Sequence, residues 1–174
     1  MKVLVTGGVR SGKSTHAESL AAGWPALTYV APGPTEDEDT DPDWTARLDA
    51  HRSRRPATWT TLETRDLAAA LASDGPVLVD CLGTWLTGVI DDRQLWDHPA
   101  DEITATIEML LHDACAVLDH RDDVILVTNE VGLGVVPEHR SGRLFRDLLG
   151  TVNQRIATCC DEVHLVVAGR ALVL

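Results

Sequence analysis

Gly7-Gly8-Val9-Arg10-Ser11-Gly12-Lys13-Ser14 follows directly on the apolar run Lys2-Val3-Leu4-Val5-Thr6. Its spacing is Gly-x-x-x-x-Gly-Lys-Ser, and the residue types suit phosphate chemistry. Glycines let the backbone curl until several N–H groups face one centre, and a helix opening at Ser14 adds the partial positive charge of its N-terminus. Lys13 then reaches the β- and γ-phosphates, and the Ser14 hydroxyl is placed to ligate Mg²⁺. A chance glycine-rich turn would match the string, but not the strand before it and the helix after it. Binding of a nucleoside triphosphate is the expectation.

Two further positions could complete such a site. Pro76-Val77-Leu78-Val79-Asp80 is an apolar run ending in a carboxylate. Phosphate-loop proteins use this form for a second acidic motif, whose Asp holds Mg²⁺ directly or through water. Buried strands also end in Asp without holding a metal, and the reading gains weight only beside the first motif. Val124-Ile125-Leu126-Val127-Thr128 leads into Asn129-Glu130-Val131-Gly132. Strand ends of an open parallel sheet face the ligand crevice, so Glu130 is a candidate for the site, with an ion pair or a cap as the alternative. A helical pattern runs from Asp43 until Pro56 limits it. On that helix Arg47, His51 and Arg54 share a sector of roughly 60°, beside Trp44 and Leu48. By pattern alone, His51 reads as a solvated helix histidine.

The elements that must position these groups alternate. Strands are expected at Val3–Thr6, Thr28–Ala31, Val77–Asp80, Val124–Thr128 and Val163–Val167, with further extended segments at Thr58–Leu62 and Ala171–Leu174. Helices are expected at Ser14–Ala22, from Asp43, at Leu67–Leu71, and through Ile103, Ile107, Leu111 and Leu118. A last one runs through Leu144, Leu148, Val152 and Ile156, with Gly150 as a weak point. The acidic stretch Glu36–Asp43 reads as a solvated loop. Alternating strands and helices imply an α/β layered fold with a mainly parallel central sheet, in one domain spanning residues 1–174.

Composition narrows the function classes. Fifteen basic against 27 acidic residues give a net charge of −12, which argues against nucleic acid as the main partner. Cys81, Cys115, Cys159 and Cys160 lack Cys-x-x-Cys spacing and read as reduced core thiols. No signal peptide and no membrane span are read in the chain, and a cytoplasmic protein is expected.

Taken together, the motifs resemble the bifunctional adenosylcobinamide kinase/adenosylcobinamide-phosphate guanylyltransferase family of cobalamin biosynthesis. The matching pieces are Val5–Ser14, then Arg47-Leu48 with His51-Arg52 and Arg55-Pro56, then Val79-Asp80-Cys81-Leu82. Asn129–Pro137, Phe145-Arg146-Asp147 and Val152-Asn153-Gln154-Arg155 complete them. The resemblance spans nearly the whole chain, and the Asn129 and His51 blocks are far more specific than a phosphate loop alone.

The resemblance implies a phosphate-loop, RecA-like fold and two reactions. A kinase step phosphorylates the aminopropanol hydroxyl of adenosylcobinamide with ATP or GTP. A second step moves GMP from GTP onto that phosphate through a GMP–histidine intermediate, giving adenosylcobinamide-GDP. His51 matches the guanylylated residue, although family members often carry a second His immediately before it, where this chain has Ala50. The segment 32–43 is a few residues longer than usual. Besides Gly7, Gly8, Val9, Arg10, Ser11, Gly12, Lys13 and Ser14, the resemblance implies nucleotide contacts at Ala31, Pro32, Gly33, Arg52, Ser53, Arg54, Arg55, Glu63 and Asp80. It also implies a homotrimer. The catalytic set is thus His51, Lys13 and Asp80, with Ser14 and Asp80 for Mg²⁺.

Physical chemistry is compatible with these roles. A neutral imidazole is a competent nucleophile near pH 7, and flanking arginines suit triphosphate charge while lowering the imidazole pKa. With one phosphate loop for two reactions, both are expected to share one triphosphate site. The Asn-Lys-x-Asp guanine signature is absent. Two other readings predict different behaviour: a monofunctional small-molecule kinase would transfer only the γ-phosphate, and a non-catalytic nucleotide-binding protein would not turn over a corrinoid.

Overall fold

Alternating apolar residues decide the layering. The computed structural model describes the backbone of residues 1–174 and every side chain except that of Arg47, so the expectation for Arg47 lies outside the described side chains. Seven strands form one sheet: β1 (Lys2–Gly7), β2 (Leu27–Ala31), β3 (Trp59–Glu63), β4 (Val77–Asp80), β5 (Val124–Val127), β6 (Glu162–Val167) and β7 (Arg170–Val173). Their spatial order is β3-β2-β4-β5-β1-β6-β7. All neighbouring pairs are parallel except β6–β7, which is antiparallel.

Six helices cover the sheet: α1 (Lys13–Leu20), α2 (Pro42–Arg54), α3 (Leu67–Leu71), α4 (Leu82–Asp92), α5 (Ala100–Leu118) and α6 (Arg140–Ala157). A strand has period 2, so consecutive apolar residues must serve opposite faces. Leu4, Val77, Val79, Val124 and Leu126 pack with α3, α4, α5 and α6 in the larger core. Val3, Val5, Leu78, Ile125 and Val127 face the other way, in a smaller core with Ala17 of α1 and with Tyr29. Central strands buried on both faces read as unbroken apolar runs for this reason.

The sheet is mainly parallel, as the sequence implied, and two expectations need correction. The helix α4 has no counterpart in the sequence reading, although Leu82, Trp85, Leu86, Val89 and Ile90 are all buried on it and Asp91 and Asp92 close it in solvent. Gly150 does not interrupt α6, which runs unbroken from Arg140 to Ala157.

The helix α2 differs from the others in having no buried side chain among those described. Polar bonds hold it. Asp41 caps its N-terminus by accepting from Asp43 N at 2.9 Å, and Pro42 opens the first turn. Trp44 Nε1 donates to Pro34 O at 3.0 Å. Arg54 grips Glu18 of α1 with two bonds, Nε–Oε2 and Nη2–Oε1, each 3.0 Å. This bidentate clamp ties α2 to the helix that follows the phosphate loop. The acidic stretch before α2 is exposed, yet it is tied down rather than merely solvated. Glu36 pairs with Arg52, and Glu38 pairs with Arg65 at 2.6 Å. The Arg65 hydrogen bonds hold the Glu38 carboxyl down to about 2.

Candidate active site

The carboxyl ends of the parallel strands deliver the site. Gly7 ends β1, Ala31 ends β2, Glu63 ends β3, Asp80 ends β4, and Asn129 lies two residues beyond β5. Around this edge lies a cavity of about 570 Å³. On its wall the structure brings together Val9, Arg10, Ser11, Gly12, Lys13 and Ser14 from the loop and α1, with His51 and Arg54 from α2. Ala31, Gly33, Arg55, Glu63 and Asp80 line it as well.

The loop geometry follows from its glycines. Gly12 has φ 95°, a left-handed conformation that a side chain would strain, and a Cβ there would also stand 3.2 Å from Gly169 Cα. A Cβ on Gly7 would meet Val166 O at 2.5 Å. The β6–β7 turn buttresses the loop through Gly169 N, which donates to Ser11 O at 2.8 Å. Lys13 Nζ donates to Gly8 O at 3.3 Å, which lays the ammonium across the loop.

Not every expected contact faces the cavity. Gly7, Gly8, Pro32, Arg52 and Ser53 are off its wall. For Arg52 and Ser53 the cause is the helix period, which turns each successive residue by about 100° from His51. Arg52 instead pairs with Glu36, and its Nη2 donates to Glu63 Oε1 at 3.2 Å. Ser53 Oγ donates back to Ala50 O at 3.1 Å. Glu130 is also off the wall. Its carboxylate accepts from Gly132 N at 2.6 Å and its own N–H donates to Gly7 O, so it braces the loop as a cap.

Sequence reasoning missed several wall residues. Asn129, not Glu130, faces the cavity, held from behind by Asn153 Nδ2, which donates to Asn129 O at 3.0 Å. Cys81 and Thr84 join from the start of α4. Cys81 is part-buried, and burial followed by Asp80 raises its thiol pKa, so it stays a protonated donor, 3.4 Å from Asn129 Oδ1. All four cysteines are free, and each is part-buried against the core rather than inside it. Tyr29 is the most consequential omission. Its hydroxyl donates to Asp80 Oδ2 at 2.9 Å, and only the β2–β4 pairing, with Tyr29 beside Leu78, makes that contact visible.

Electrostatics centre on His51 and Asp80. His51 Nδ1 lies 3.6 Å from Asp80 Oδ2, an ion-pair distance too long for a hydrogen bond. Burial is the main influence on His51 and lowers its pKa; Arg54 and Arg55 act in the same direction, against Asp80 and Glu18. A lowered pKa keeps the imidazole neutral to more acidic pH. In nucleotide-free protein the His51 ring protons are therefore expected to titrate below 6.5 by NMR; a midpoint above it would show that Asp80 outweighs burial. Other histidines are elsewhere. His16 Nε2 meets His164 Nδ1 at 2.9 Å, and His164 Nε2 meets Glu162 at 2.8 Å. His51 is the one histidine on the cavity wall among the described residues.

Ser14 and Asp80 supply oxygen donors, the chemistry that Mg²⁺ prefers. Asp80 Oδ2 is committed to Tyr29, while Oδ1 accepts no hydrogen bond among the described residues. No cluster of three His, Cys, Asp or Glu suited to a metal occurs among the described residues, so a cation here would take its remaining ligands from phosphates and water. The donor set fits.

Comparison with known proteins agrees with this chemistry. A family model described as cobinamide kinase / cobinamide phosphate guanyltransferase matches residues 3–174. The bifunctional adenosylcobalamin biosynthesis protein CobU of Salmonella typhimurium is 42% identical, across 97% of each chain. Its namesake in Escherichia coli is 40% identical across 97% of each. The bifunctional adenosylcobalamin biosynthesis protein CobP of Pseudomonas aeruginosa is 41% identical over 100% of this chain and 97% of its own.

Proposed function

The chain belongs to the cobinamide kinase / cobinamide phosphate guanyltransferase family, and from that membership we propose that one cavity serves both reactions. The protein is a transferase of cobalamin biosynthesis: it phosphorylates adenosylcobinamide and then transfers a guanylyl group to the phosphate so made. The observation that carries the one-site reading is that His51 shares a cavity wall with the Lys13 loop.

In the kinase step the acceptor hydroxyl attacks the γ-phosphorus of ATP or GTP, and the nucleoside diphosphate leaves. Lys13 and the loop N–H groups take up the charge, and no protein nucleophile takes part. In the guanylyl step His51 attacks the α-phosphorus of GTP. Asp80 faces Nδ1, which favours the tautomer with the proton there and leaves the Nε2 lone pair for attack. A P–N bond forms and pyrophosphate departs toward Lys13 and Arg55. An oxygen of adenosylcobinamide phosphate then attacks the same phosphorus, the P–N bond breaks, and neutral imidazole returns. Ser14 and Asp80 would hold Mg²⁺, which neutralises charge between phosphate oxygens when bound.

The reading extends to a cytoplasmic homotrimer of one-domain subunits. Apolar side chains left at the surface, Leu133 and Val135 after β5 and Leu172 on β7, favour association between copies. The deciding experiment is incubation with GTP labelled at the α-phosphate, followed by denaturation. Label is expected to stay on the protein, to survive base, and to be released by acid. A kinase with only γ-phosphoryl transfer, or a nucleotide-binding protein without turnover, would retain none.

A further inference from the structure

Asp80 and Arg55 carry opposite charges to the same cavity, and one side chain touches both. Tyr29 is 1% exposed, and its hydroxyl, set against a carboxylate oxygen, is the donor of that pair. It donates to the same Oδ2 that faces His51 Nδ1. On the ring face, Arg55 Cζ stands 3.4 Å from the centroid, a cation–π contact. Trp59 lies alongside the phenol, with ring centroids 6.4 Å apart and an interplanar angle of 21°. Arg55 Nη1 donates to Thr61 Oγ1 at 3.1 Å, while its buried Nε finds no partner among the described residues. Its direction therefore depends on the ring and on one hydroxyl.

We propose that Tyr29 is a positioning residue for guanylyl transfer, aiming Asp80 at His51 through its hydroxyl and Arg55 into the cavity through its ring. This rests on His51 being the nucleophile. The hydroxyl acts on the step that uses His51, because it fixes the carboxylate that orients the imidazole. The ring acts on triphosphate binding, because it carries the cation.

Two variants separate these effects. Tyr29→Phe keeps the ring and removes only the donor. At saturating GTP its rate of adduct formation is expected to fall about tenfold, the scale of losing a hydrogen bond to a charged group. KM for GTP should stay within about twofold, since the ring and Lys13 are untouched, and the kinase kcat should fall clearly less than adduct formation, because only the guanylyl step uses the His51 that Asp80 faces. Tyr29→Leu removes the platform too, and KM for GTP should then rise in both reactions. If Tyr29→Phe left adduct formation unchanged, or lowered both activities equally, the proposal would be wrong. Tyr29 is the chain's single tyrosine, so a tyrosine ¹³Cζ label gives one resonance and reports on the contact without any change to Tyr29 itself. That resonance is expected to move in Asp80→Asn; an unmoved signal overturns the contact. His51→Asn run in parallel distinguishes the failures: label persisting there overturns the histidine assignment, whereas label lost there with a normal Tyr29→Phe overturns only the role of Tyr29.

Discussion

Lys13→Ala loses phosphoryl transfer and guanylyl transfer together. The expected drop is about 10²–10³-fold in kcat/KM for each, the usual cost of removing one preorganised charge-stabilising donor from a transferring group. Lys13 follows Gly12 at the start of α1, and its ammonium lies across the loop against Gly8 O, where it meets phosphate oxygens in either reaction. Because the side chain makes no core contact, stability should change by less than about 0.5 kcal/mol. The measurement is a pair of steady-state assays, adenosylcobinamide phosphorylation and guanylyl transfer to its phosphate, on a variant with wild-type circular dichroism. Kinase activity near wild type would mean that the loop has been misread. Loss of one activity alone would mean two separate triphosphate sites.

What could be read from the sequence was local. The phosphate loop declares itself within eight residues, because its backbone geometry needs glycines at fixed places. Strands β1, β4 and β5 declare themselves as apolar runs, since each is buried on both faces. Arg52 and Ser53 show the limit of carrying over a contiguous block: residues adjacent in sequence diverge around a helix, and these two turn away from the cavity that Arg54 and Arg55 face. Glu130 looked the better acid to recruit, but a short bond to Gly132 N turns it back on its own loop, and Asn129 takes the wall. Tyr29 looked like any residue of a buried strand. Its partner Asp80 is distant in sequence and comes near only because β2 and β4 are neighbours. The charges of Glu36 and Glu38 read as solvated until the fold set Arg52 and Arg65 beside them.

His51→Asn separates the two activities. Asparagine keeps polarity and approximate size but offers no imidazole lone pair, so the GMP adduct should fall below detection and guanylyl transfer should drop by at least about 10³-fold. The kinase step uses the acceptor hydroxyl as its nucleophile, so adenosylcobinamide phosphorylation should persist. Some kinase loss is expected, within about tenfold, since His51 lines the shared cavity and the change disturbs the Asp80 beside it. The diagnostic quantity is therefore the ratio of the two activities. Stability is not expected to confound it: the imidazole is one-third exposed, and α2 is held by the Arg54–Glu18 clamp and by Trp44, which the substitution leaves in place. Acid-labile label persisting in His51→Asn would point to another histidine, of which His16 is nearest the loop in sequence, but its ring is engaged with His164 and off the cavity wall. Equal loss of both activities in a folded variant would mean that His51 shapes the shared site without carrying GMP.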